Sequence, residues 1–568
     1  MLDLSKWACL GETLLDLMSK YKDCMALFEV NRDREIGSWT YSQFFEEASR
    51  LAALVQDHGF ASGDRCAILM SNQSKWLFSA TGVFWAGGIL VPLDYKLTPS
   101  EQLSLLKHSK ASVLITEWPI WLYLRKENWD LDQVLVLVTE APANAQLGRT
   151  IRWETSLKKP FQFFKRIRED VACIVYSSGT GGRPKGCMLT HGNYLYQAQV
   201  LGEMFPIQSK DRYFSILPTN HAIDFMCGFI LPLHFGAAIV HQRTLRPEFL
   251  VSTMRRYGIS HMALVPMLLK AFEKRTRENL ESLPKLKQKL IQQLIALNAK
   301  LTKKTPKYQF SKILLKPIHQ AFGGNLRLLF AGGAFVDPST AEFFYRIGLP
   351  VVIGYGLTEA GTTLTVNDLR PFRADTVGKP LPGCKIELRD QNKSGVGEVW
   401  VNGPTMMKGY LDDPDLTKEV LVDGWLKTGD LGIFDPTGHL KLVGRAKNMI
   451  VTEGGKNIYP EDVESTFEDL QGSQEVCVFA ANYIWPTGRL TDEQLLIVVR
   501  PNPGLAKEKL KSAILERNQK LADFKRLAAF MVWEREFPRT ASLKIKRDLL
   551  AQEIAKSFQK ETVLQTLS

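Results

Sequence analysis

The sequence predicts an α/β protein. A large N-terminal domain (about 1–446) holds two parallel-type α/β layers and a β-barrel-like subdomain (about 384–446), and a small α+β C-terminal domain (447–568) follows. Three observations predict it. Short apolar runs alternate with helix-like stretches, the pattern of a parallel sheet buried on both faces: CAILM (66–70), ILVPL (89–93), SVLIT (112–116), VLVLV (134–138), ACIVYSS (172–178), YFSILP (213–218), LRLLFAGG (326–333) and VVIGYG (351–356). From about residue 393 the texture turns all-β, with GEVWVNG, GWLKTGDLG and GHLKLVGR separated by Gly, Asp and Pro. Near Arg445 the chain passes into a smaller, basic α/β segment.

Composition sets the outer bounds. With 568 residues, 45% hydrophobic and 23% charged, the chain has ordinary globular usage, which excludes disorder and fibrous repeats. The net charge of +12 favours an acidic partner: nucleic acid, an anionic membrane, an acidic carrier protein or a polyphosphate. No nucleic-acid recognition motif supports the first of these. Eight cysteines without a C-x-x-C pair are expected as reduced thiols, which fits the cytoplasm. The opening MLDLSKWACL lacks the basic-then-apolar order of a signal peptide. The uncharged stretch 77–93 is broken by Gly82, Gly87, Gly88 and Pro92, so a buried helix, turn and strand are expected there in place of a membrane span.

Residues 272–326 stand apart. Twelve Lys and Arg against three Glu give this segment a net of +9, most of the excess of the whole chain. Leu283, Leu286, Leu290, Leu294, Leu297 and Leu301 recur at steps of three and four, an apolar helical stripe. The expectation is that these leucines pack on the main body while the lysines are solvated. The alternative is a basic amphipathic helix on the inner face of an anionic membrane, or docked on an acidic partner.

The sharpest chemical signal is Tyr176-Ser177-Ser178-Gly179-Thr180-Gly181-Gly182-Arg183-Pro184-Lys185-Gly186, placed after an apolar strand and before a helix-like stretch. Its glycines let backbone N–H groups approach an anion, and its Ser, Thr and Lys add donors and charge for phosphate oxygens. It is not a Walker A loop, because Lys185 follows Pro184 and Gly186 stands where Ser or Thr is required.

This loop resembles the phosphate-binding signature of the acyl-adenylate-forming (AMP-binding) superfamily: acyl-CoA synthetases, luciferases and peptide-synthetase adenylation domains. LPTNH (217–221), FAGGA (330–334), GYGLTE (354–359), KTGDLG (427–432), VGRAKNMIVTEGGKNIYP (443–460) and FPRTASLKIKR (537–547) match further motifs in that family's order. The insertion before FAGGA is similar to that of bacterial long-chain fatty-acyl ligases.

The resemblance implies ATP-dependent activation of a carboxylic acid, with Mg²⁺, through an acyl-adenylate and with release of pyrophosphate. Transfer to CoA would follow, or to the phosphopantetheine of acyl carrier protein, with a long-chain fatty acid as the substrate expected. It places Ser177, Ser178, Gly179, Thr180, Gly181, Gly182 and Lys185 around the pyrophosphate, with Glu359 and Thr180 at the metal. Tyr355 would offer its ring to adenine in a slot of Gly332, Gly333 and Ala334, with Gly354, Gly356 and Thr358 also binding the nucleotide; Asp430 would meet the ribose, and Arg445 the ribose or a phosphate. His221 would lie beside the acyl carboxylate, and Lys544 would be the catalytic lysine, preferred over Lys546. Lys447 would be the hinge of a mobile C-terminal domain, and Gly454, Gly455 and Lys456 the loop that meets the thiol carrier. Residues from about His221 to Phe229 and near Val265–Pro266 and Gly332 would line the acyl pocket, with Phe225, Met226 and Phe229 apolar and Asp224 polar.

The chain departs from the family pattern at Gly181, where a second Thr is common, at Leu543, where Gly is usual, and at Asn448, where Asp is frequent. Three alternatives stay open: acyl transfer to carrier protein, an aromatic- or amino-acid-activating ligase, and, motivated by Gly181 and Leu543, a catalytically weakened adenylate- or lipid-binding protein.

Overall fold

The structure is a computed structural model that describes residues 3–127, 133–155, 159–177, 185–451, 457–485, 494–504, 507–540 and 544–567. The class is mixed α/β, with a large N-terminal and a smaller C-terminal domain. Two compact units form: Met1–Lys385 with Asn402–Leu426, and Ile386–Val401 with Lys427–Ser568.

The first unit is built on two sheets. In an eight-stranded sheet, Ile89–Pro92, Arg65–Leu69, Val113–Glu117 and Leu135–Thr139 run parallel. In a nine-stranded sheet, Met25–Asn31, Ala238–Gln242, Arg212–Ser215, His261–Leu264, Leu328–Gly332 and Val351–Tyr355 are parallel neighbours in that order. Each of the eight apolar runs becomes a strand. Their near-continuous hydrophobicity follows from helices covering both faces, as at Leu114 and Ile115, which are fully buried. Residues 77–93 form helix Ser74–Trp85, a turn at Gly87 (φ 73°) and strand Ile89–Pro92.

Two local expectations are corrected in this unit. The glycine-rich loop does not lead straight into a helix. Val171–Ser177 and Lys185–Thr190 pair antiparallel, with Ser177 opposite Lys185, and helix His191–Met204 begins only afterwards. The cause is the alternation in KGCMLT, which buries Cys187 and Leu189 before Thr190 caps the helix in a capping box with Asn193.

The second correction concerns the leucine stripe. Within helix Lys285–Thr302 the inward face is Ile291, Leu294, Ile295, Asn298 and Thr302, while Leu286, Leu290, Leu297 and Leu301 are exposed. Hydrogen bonds fix that orientation. Asn298 Nδ2 donates to Arg346 O at 2.9 Å, and Asn298 Oδ1 accepts from Ser311 Oγ at 2.8 Å.

In the second unit a four-stranded sheet (Ser473–Ala480, Leu495–Pro501, Ala529–Val532, Gln565–Thr566) is covered on both faces. Val478, Ile497 and Phe530 point to one core, and Cys477, Leu496, Val498 and Met531 to the other. The expected β-barrel-like subdomain is an open sheet. Its order runs from Lys385–Arg389 through Gly397–Asn402 to the long strand Trp425–Phe434, on which Leu440–Arg445 also pairs. The long strand shifts register between Leu431 and Gly432, bending the sheet, but so few short strands do not close on themselves. Among the described residues no helix is long and apolar enough to cross a membrane.

Candidate functional site

In the first unit the candidate adenine slot forms where two neighbouring parallel strands end, the usual place for a ligand in an open α/β sheet. Gly332 ends Leu328–Gly332 and pairs with Gly354 of Val351–Tyr355. A Cβ on Gly332 would meet Gly354 O at 2.8 Å, and one on Gly356 would meet Thr362 O at 1.8 Å, so both positions are closed to larger residues. Gly333 adopts φ 80°, and a Cβ there would come within 4.0 Å of the His221 ring. The structure thus brings Gly332, Gly333, Gly354, Tyr355, Gly356 and His221 into one neighbourhood, while Ala334 follows exposed in a bend. The Tyr355 side chain is buried. His221 caps the short helix Ala222–Asp224, its Nδ1 accepting from Ile223 N at 3.5 Å.

A second cluster gathers at the mouth of the 171–190 hairpin. The Lys185 ammonium lies 5.8 Å from the centroid of the Tyr410 ring, and Tyr410 Oη donates to Glu359 Oε1 at 3.0 Å. Glu359 sits in the single-turn helix Thr358–Ala360, whose backbone is tied to the same segment by Met407 N donating to Glu359 O at 2.8 Å. Strand Gly409–Tyr410 adds to the edge of the hairpin opposite Cys187 and Met188. Burial, and then the adjacent Glu359 carboxylate, push the Tyr410 phenol up, so its proton stays in place as a donor. Tyr410 is the residue that sequence reasoning missed. It stands 51 positions from Glu359, and no local pattern links the two.

The expected acyl-pocket residues are packed. Phe225, Met226 and Phe229 lie buried in the π-helical turn Phe225–Ile230, with Phe225 and Phe229 each about 6.0 Å from the Trp76 ring. Such turns are rare and recur at functional sites. Asp224 points away from open space. Its Oδ1 accepts from Tyr213 Oη at 3.0 Å, and its Oδ2 accepts from Ser215 Oγ at 2.7 Å and Thr219 Oγ1 at 3.2 Å. Burial pushes its carboxyl up to about 7. Asp224 is a structural node tying the LPTNH segment to its strand.

In the second unit Asp430 and Arg445 face each other across paired strands, with Arg445 Nε 2.7 Å from Asp430 Oδ1. Thr428 Oγ1 accepts from Asp430 N at 3.0 Å, which fixes the strand backbone that bears the carboxylate. Lys447 is exposed in the turn Ala446–Asn448, and Asn448 Nδ2 donates to Glu461 Oε1 at 2.7 Å. The two-unit division places Lys447 inside the second unit.

Lys544 is exposed, and its backbone is held to Thr540: Thr540 N donates to Lys544 O at 2.8 Å and Lys544 N to Thr540 Oγ1 at 3.1 Å. Lys546 precedes helix Arg547–Ser557, and Arg547 is sequestered by Glu464 at 2.5 Å. Ser178, Gly179, Thr180, Gly181, Gly182, Gly454, Gly455, Lys456 and Leu543 lie outside the described residues.

Residues 18–411 match the family model described as AMP-binding enzyme, well over half of the chain. The chain belongs to the AMP-binding enzyme family. This AMP-binding enzyme is 29% identical to the 2-succinylbenzoate–CoA ligase of Bacillus licheniformis, a match covering 90% of this chain and 94% of that one. It is 28% identical to long chain acyl-CoA synthetase 3 of Arabidopsis thaliana, over 85% and 77% of the respective chains. The fold is shared with the anthranilate CoA ligase AuaEII in complex with anthranoyl-AMP: TM-score 0.78 at 22% identity, over 97% of this chain and 99% of that one.

Proposed function

We propose that this AMP-binding enzyme is an AMP-forming acid–CoA ligase whose substrate is a long-chain fatty acid. The reaction class, an acyl- or aryl-adenylate passed to CoA, rests on the family and on relatives named as CoA ligases. The observation that bears most weight is the Lys185–Tyr410–Glu359 cluster, which sets a cation and a carboxylate at the mouth of one hairpin.

The chemical obstacle is bringing a carboxylate against a polyphosphate, so positive charge and positioning must do most of the work. Lys185 supplies a compact charge for the departing pyrophosphate. Glu359 offers the hard oxygen that Mg²⁺ prefers; when bound, the ion would neutralise phosphate charge. Asp430 and Arg445 suit the ribose hydroxyls, since a carboxylate can accept from both. His221 suits the acyl carboxylate, and the flexible ammonium of Lys544 suits the charge that develops as carboxylate oxygen and α-phosphorus join.

The similarity to a long chain acyl-CoA synthetase supports a hydrocarbon substrate. An aryl acid is the second reading, favoured by the similarity to a 2-succinylbenzoate–CoA ligase.

Pyrophosphate release, measured across fatty acids of increasing length, aryl acids and amino acids, followed by transfer to CoA or holo-carrier protein, separates the readings. Long-chain acids with CoA are the expected pair. Release confined to aryl acids would replace the substrate, and ATP binding without acid-dependent AMP would replace the enzyme with a binding protein. Lys544→Ala is expected to slow adenylate formation roughly a hundredfold or more, the scale of losing one preorganised charge contact.

A further inference from the structure

Helix Lys285–Thr302 has two apolar stripes, and only one is used by the fold. Ile291, Leu294 and Ile295 pack against the nine-stranded sheet's core. Leu286, Leu290, Leu297 and Leu301 are 85%, 55%, 43% and 47% exposed. At 100° per residue these four fall within about 60° of one another, along about 22 Å of helix. Lys285, Lys289 and Lys300 fall on the adjoining exposed arc, further from the packed face, and all three are exposed. The segment that follows adds Lys303, Lys304 and Lys307, all exposed, and then Ile313, which is 78% exposed. Scattered surface leucines are ordinary, but four in register beside a row of lysines are an unpartnered amphipathic face.

We infer that this face docks on an anionic lipid bilayer, lying in the interface with its leucines among the acyl chains and its lysines on the phosphate headgroups. Charge decides among the occupants. A net of +9 over residues 272–326 makes a second copy of the same face repulsive and an anionic surface attractive. A folded acidic protein would complement the lysines, but it would have to supply a matching apolar groove about 22 Å long. A bilayer interface accepts the leucines without one. The helix is too short of apolar residues to span, so the contact is peripheral. The inference does not depend on the substrate reading, because binding is scored with neither acid nor nucleotide present.

The test is co-sedimentation of the full chain with phosphatidylcholine vesicles, with and without about one-third phosphatidylglycerol. Binding to the anionic vesicles alone is expected, weakening as salt is raised. The quadruple variant L286Q/L290Q/L297Q/L301Q is expected to lose roughly tenfold or more of that binding. K285Q/K289Q/K300Q is expected to lose the preference for anionic lipid. Both variants should keep the wild-type circular dichroism and melting temperature, since the substituted side chains face solvent. Pyrophosphate release in lipid-free solution should also be unchanged. Equal sedimentation of wild type and the leucine variant would overturn the proposal. It would also fail if the leucine variant abolished a concentration-dependent dimer, or capture by holo-carrier protein, while vesicles bound neither form.

Discussion

Tyr410 shows how one side chain can couple two others that the sequence keeps apart. Its ring lies under the Lys185 ammonium and its hydroxyl donates to Glu359, so it restricts both the cation proposed to meet phosphate and the proposed metal ligand. Partners of this outer kind orient a ligand, and their loss typically weakens metal affinity ten- to a hundredfold. Tyr410→Phe keeps the ring and removes the hydroxyl. The expected result is about a tenfold rise in the Mg²⁺ concentration that half-saturates pyrophosphate release, with folding intact. An unchanged Mg²⁺ titration would assign Tyr410 to packing alone. The close approach at Gly332 and Gly356 was legible because glycine-rich sequence states its own geometry, whereas Tyr355, which is buried, was singled out only by its place in the GYGLTE motif. Asp224 was not. A carboxylate beside a run of aromatics reads as pocket lining until its three hydroxyl donors are seen.

At the scale of elements, periodicity showed that strands and helices exist but not which way each faces. Residues 285–302 carry two apolar stripes of similar strength. Only hydrogen bonds from Asn298 and to it, made to residues 13 and 48 positions away, decide which one is buried. The hairpin that closes at Ser177 and Lys185 was hidden for a similar reason, since six residues of alternating burial are too few to stand out before a fourteen-residue helix.

The turn Ala446–Asn448 can be tested as a hinge. Proline at 447 fixes φ and restricts the residue before it, so a turn that must change conformation between two half-reactions would be held in one of them. Lys447→Pro is expected to leave adenylate formation within about twofold and to slow thioester formation at least tenfold, the two steps being assayed separately. Equal losses in both would refute the hinge role.

Over the whole molecule, buried histidines make stability depend on pH, a feature that composition conceals because nine scattered His give no sign of their burial. Burial holds His191 down to about 3 and His234 and His241 to about 4, and it also lowers His261. All four are neutral in the folded chain near pH 7, as they are in the unfolded chain above its ordinary value of about 6.5. As pH falls from there toward 4, only the unfolded chain takes up these protons, and stability is lost. Asp224 opposes this. Its folded value of about 7 against an ordinary 3.8 means that its contribution is present at low pH and is lost as pH rises through 7. Four groups outweigh one, so net destabilisation on acidification is expected. All five lie in the first unit, so its thermal transition should fall between pH 7 and pH 5 while the transition of the second unit moves less. His234→Gln removes one titrating group whose Nδ1 lies 2.7 Å from Ile230 O, and should flatten the dependence of that first transition on pH by about a third, since Asp224 offsets one of the four histidines. A first-unit transition that rises on acidification would show that Asp224 outweighs the histidines, reversing the assignment.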